Sequence, residues 1–65
     1  MIIRLKEKEF GEIKRGEKRF IVVRDNPDIK LGAPLEIKCK GQTIRTEIEY
    51  FEDFVNIGTI ISFNF

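Results

Sequence analysis

Hydrophobic positions along the 65 residues change period several times, and each change marks an element. Ile2, Ile3 and Leu5 make a short branched start that reads as a strand. From Lys6 to Arg15, Phe10 and Ile13 fall three apart, Leu5 lies one turn earlier, and Glu and Lys fill the other positions, which predicts a helix. Gly16 supplies its stop, since a left-handed residue suits a helix C-terminus, and Lys14 and Arg15 complement the dipole there.

Phe20, Ile21, Val22 and Val23 form an unbroken apolar run, which predicts a central strand covered on both faces. Arg24 ends it, and Asp25, Asn26, Pro27 and Asp28 have turn chemistry. Leu35, Ile37 and Cys39 then alternate with Glu36, Lys38 and Lys40, the period of a strand with one buried and one wet face. A hairpin is expected at Gly41 and Gln42. In the next run Ile44, Thr46, Ile48 and Tyr50 share one parity, with an expected end near Phe51 and an interruption from Glu52 to Asn56. Ile57 to Phe65 closes the chain with Ile61, Phe63 and Phe65 on one face.

The order is strand, helix, then four strands, in a chain with room for one domain over residues 1–65. Five short strands avoid exposed edges by curling round. The expected fold is therefore mainly β, of the α+β kind: a small five-stranded barrel with one short helix after the first strand. An open sheet with the helix on one face is the alternative.

Composition removes several functions. One cysteine and no histidine give neither a disulfide nor a thiolate or imidazole set for a transition metal, and no cofactor is expected. Without histidine, serine or cysteine nucleophiles have no imidazole base, so Cys39 reads as an inert buried thiol. The apolar start Met1–Leu5 is too short for a signal peptide, no segment suits a membrane span, and the cytoplasm is the expected compartment.

The net charge of +1 hides a strong asymmetry. All 12 Lys and Arg lie in residues 1–45, where they face 7 Asp and Glu for a balance of +5; residues 46–65 hold Glu47, Glu49, Glu52 and Asp53 and no base, for −4. Gly16, Lys18 and Arg19 stand before the Phe20 strand and Arg24 after it, a pattern able to hold a phosphate or nucleotide. A helix cap followed by solvated charges is the competing reading. Glu47 and Glu49 read as solvated strand charges rather than an acid/base pair, and Asp25, Asn26 and Asp28 as a turn rather than a cation loop.

The run Phe10, Ile13, Gly16, Lys18, Phe20, Arg24, Gly32 and Leu35, with the close Ile60, Ile61, Ser62 and Phe63, resembles a minimal ASCH-like member of the PUA superfamily. Such domains are small β-barrels with a helix after the first strand, and usually carry G-x-K-x-x-E-x-R leading into a strand, then G-D before the next. Gly16 and Lys18 match. Ile21 stands in the place of the Glu and Val23 in that of the Arg, with Arg24 one residue later, and the G-D pair is Gly32 and Ala33. The resemblance implies a binding module without catalysis, in which Lys18 and Arg24 contact RNA or a nucleotide-like ligand.

The leading expectation is thus a non-enzymatic PUA-like module that binds RNA or a nucleotide through Gly16, Lys18, Arg19 and Arg24. A second is an interaction or inhibitory factor, of the kind mobile elements encode, that engages a protein through Glu47, Tyr50, Phe51 and Phe54. A third is a degenerate relative of acylcytidine amidohydrolases with Lys18 as base.

Overall fold

The computed structural model of the chain describes residues 1–24 and 29–64, so the turn expected at Asp25 to Asp28 and the final Phe65 lie outside the described residues. Strand β1 spans Ile2–Arg4, helix α1 Glu7–Lys14, and strands β2 to β5 span Phe20–Val23, Pro34–Cys39, Gln42–Phe54 and Gly58–Phe63. This is the expected order. The strands form one sheet, β1-β3-β4-β5-β2, curled into a half-barrel, with β1 parallel to β3 and the other neighbours antiparallel.

The concave face holds the core. Leu35, Ile37 and Cys39 of β3, Ile44 and Ile48 of β4, Ile61 and Phe63 of β5 and Ile21 of β2 are buried with Phe10 and Ile13 of α1. Period-two alternation sends the intervening side chains outward, which is why the helix needs only one apolar stripe. That helix ends as its sequence predicts: Gly16 takes φ +77, its amide donates to Ile13 O at 3.0 Å, and the Glu17 amide donates to Glu12 O at 2.9 Å. This is the Schellman pairing, and it satisfies carbonyls that the helix leaves unpaired.

Four expectations are corrected. β2 is an edge strand, not a central one: Ile21 points into the core, whereas Phe20 and Val22 are 44% and 48% exposed. An unbroken apolar run has no periodicity from which to read its position in a sheet. β4 does not break at Glu52 but continues to Phe54, and the tight turn that follows puts Asn56 at φ +69. The register slips between Ile48 and Tyr50, so a bulge at Glu49 reverses the parity and turns Tyr50 outward and Phe51 toward the core. The hairpin turn is Lys40–Gly41, both at positive φ, with Gln42 already paired to Cys39.

Gly58 holds the two halves of this sheet region together. At φ +120 its missing Cβ would sit 2.6 Å from the Val23 carbonyl oxygen, so β2 approaches β5 through a space that no side chain can share.

Candidate nucleic-acid interface

Parallel pairing of β1 with β3 sets Arg4 beside Lys38 in register. Both point to the convex face, since Ile3 and Ile37 between them face the core. Like charges side by side on neighbouring strands repel, and a fold gains nothing from that arrangement by itself. More cations gather round this pair. Arg4 and Leu5 line a concavity of about 360 Å³ with Lys38, Lys40 and Gln42, and a second of about 490 Å³ with Lys6, Lys8, Glu9, Glu12 and Lys18. Arg4 is therefore the shared wall of two adjoining hollows.

Local structure accounts for each position. Lys6 is the N-cap residue of α1 and makes no side-chain cap, while Glu7 and Glu9 in the first turn complement the positive end of the helix dipole. The Leu5 amide donates to Lys38 O at 3.0 Å, which ties the entrance of the helix to β3. Lys40 pairs with Glu7, and Lys18 pairs with Glu9. Among the described residues Arg4, Lys6, Lys8 and Lys38 have no ion-pair partner, so the charge of this pole is incompletely neutralised.

The sequence-predicted site residues are not all brought together. Lys18 reaches this pole, with its ammonium 5.0 Å from the centre of the Phe20 ring as well as against Glu9. The amides near Gly16 turn inward: those of Glu17 and Lys18 both donate to Glu12 O, at 2.9 and 3.2 Å. Arg19 is exposed just before β2, and its carbonyl accepts the Phe63 amide at 3.1 Å. Arg24 lies past the other end of β2, along about 16 Å of extended chain from Arg19, and lines a separate hollow with Phe54, Asn56, Ile57 and Gly58.

Reading along the sequence passed over Arg4, Lys6, Lys8, Lys38 and Lys40. Lys38 and Lys40 carried a signal, the wet parity of a strand. The β1–β3 pairing that gathers them joins residues more than thirty positions apart in a parallel register, and no local pattern encodes it.

The Lys18 ammonium donates to the Glu9 carboxylate and so presents no lone pair for a base. Cys39 is buried, and among the described residues no group of His, Cys, Asp and Glu is placed to hold a metal ion. No helix of the described residues is long and apolar enough to cross a membrane. Tyr50 donates to Glu52 Oε1 at 2.8 Å, and this bond together with the adjacent charge holds its hydroxyl above the ordinary tyrosine range. Arg15 and Glu17 pair at 3.0 Å, which lowers the Glu17 carboxyl and raises the guanidinium.

No family model matches the chain, and comparison with the curated proteins yields no match.

Proposed function

We propose that the chain is a non-enzymatic module that binds the phosphate backbone of single-stranded RNA at the pole formed by Arg4, Lys6, Lys8, Lys18, Lys38 and Lys40. The observation that carries this reading is the like-charged pair Arg4 and Lys38, held in register and surrounded by further cations over two adjoining hollows. A polyanion laid across both hollows relieves their repulsion and releases its own counterions. The resemblance of the Gly16 to Arg24 segment to ASCH-like and PUA domains supports the same ligand class, with Lys18 as the residue common to motif and pole.

Binding of a labelled uridine oligonucleotide, followed by fluorescence anisotropy over a range of salt, tests the proposal. Three or four phosphate contacts give a log–log salt slope of about −2 to −3. Replacing both Lys6 and Lys8 with Glu lowers affinity at least about tenfold and flattens that slope. Absence of binding at low salt, or an unchanged slope in the double variant, would refute it.

A further inference from the structure

A basic pole by itself holds a duplex and a single strand alike, so a preference for unpaired nucleotides needs a second element. Binders of single strands set an exposed aromatic ring beside the cations, where a base stacks while its phosphate is neutralised. Among the described residues one ring meets both conditions. Phe20 is 44% exposed on the convex face, and the ammonium of Lys18, a cation of the pole, lies 5.0 Å from the centre of its ring. Exposure of a single phenylalanine is ordinary, and its place beside Lys18 is what counts. Phe10 and Phe63 are buried, and Phe51 packs against the core. Tyr50, across Ser62 from Phe20, is exposed, but its hydroxyl donates to Glu52, and a carboxylate beside the ring repels phosphate. Phe54 lines the separate hollow with Arg24, away from the pole.

The surroundings of Phe20 leave room for a base. Because β2 is an edge strand, no side chain of a further strand stands on the outer side of the ring among the described residues. Lys18 suits the accompanying phosphate, since an ammonium has three donors and Glu9 accepts one of them. Glu9 and Glu12 line the same hollow and blunt the attraction at this end of the pole. A stack depends little on charge and adds affinity where the field is weakest. Resting on the RNA reading above, we infer that Phe20 is the base-stacking platform of that site, holding one unpaired nucleobase whose phosphate lies against Lys18. The platform ends there, because Glu52 closes off the next ring.

The test compares two labelled probes by fluorescence anisotropy on the full chain at low salt: a uridine oligonucleotide and an abasic ribose–phosphate strand of the same length. The strand with bases should bind at least about fivefold more tightly, the lower end of what one stacked base supplies. Phe20→Leu should remove most of that difference while leaving affinity for the abasic strand within about twofold and the salt slope unchanged, because a stack releases no counterions. Phe20→Trp should keep the preference. The chain has no tryptophan of its own, so the emission of this variant should be quenched by the uridine strand and not by the abasic one. Equal affinity of the native chain for the two strands, or uridine binding that Phe20→Leu leaves unchanged, overturns the inference while the phosphate-binding pole stands. Equal losses for both strands in Phe20→Leu also overturn it, since the ring would then act only by placing Lys18. Binding of neither strand overturns the inference and the pole together.

Discussion

The two ends of the sheet solve opposite problems. At the β1–β3 end the convex face sets like charges side by side, Arg4 beside Lys38, with Ile2 as its exposed apolar side chain. At the β5–β2 end the convex face carries Phe20, Val22, Tyr50 and Phe54, and the acidic residues Glu47, Glu49, Glu52 and Asp53 lie along the adjoining strand β4. The first region is frustrated in charge and the second in hydrophobic exposure. Both departures from a self-sufficient surface sit on the same curled scaffold, and a phosphate chain that suits the first has no use for Val22.

The most disruptive way to separate them is Gly58→Ala. The added methyl meets the Val23 carbonyl and the residue must hold φ +120, so β2 should lift from β5 at a cost of about 3 kcal/mol or more. Denaturant unfolding would show this as a lowered midpoint, and a loss under about 1 kcal/mol would mean that β2 is not seated as described. RNA affinity at the proposed pole, most of whose cations lie at the far end of the sheet, should fall only in proportion to the unfolded fraction.

Next in size is a charge reversal applied to each region. Lys38→Glu beside Arg4 should lower RNA affinity by about tenfold and raise thermal stability slightly, because it replaces a repulsion with an attraction. Arg24→Glu should leave RNA affinity within about twofold. Equal losses from the two variants, measured by anisotropy, would erase the distinction.

A smaller effect probes the exposed apolar patch. Phe20→Ser should change stability by no more than about 1 kcal/mol, since nearly half of the ring is already in water and little core is lost. Phe10→Ser, in the buried helix face, should unfold the chain. Equal unfolding midpoints would mean that Phe20 serves the core rather than a partner.

The smallest is a titration. Tyr50 is the only tyrosine, so ultraviolet absorbance reports it alone. Its hydroxyl is raised by the bond to Glu52, so the contribution of that bond to stability is full below the ordinary tyrosine range and is lost as pH rises through the raised value. Glu52→Gln should bring the midpoint back down. A midpoint that does not move would show that the bond does not form in solution.

How much of this could be read from the chain follows from which features are local. The helix stop at Gly16, the alternation of Leu35, Ile37 and Cys39, and the inward face of Ile61 and Phe63 are written in neighbouring residues, and the structure bears them out. The bulge at Glu49 is not, because it reverses parity without any change in composition, and it moved Tyr50 from the expected core side to the surface. The edge position of β2 was hidden by its uniform apolarity. The basic pole was hidden by distance in sequence: Lys18 was legible from its motif, whereas Arg4 and Lys38 became neighbours only through a parallel pairing set by the whole fold.

Amide chemical shifts of the labelled chain, recorded as a uridine oligonucleotide is added at low salt, test the division most directly. Movement concentrated at Arg4, Lys6, Lys8, Lys18, Lys38 and Lys40, with Val22, Tyr50 and Phe54 still, is the result the account requires. Movement centred on β2 and the β4–β5 hairpin, or none anywhere, contradicts it.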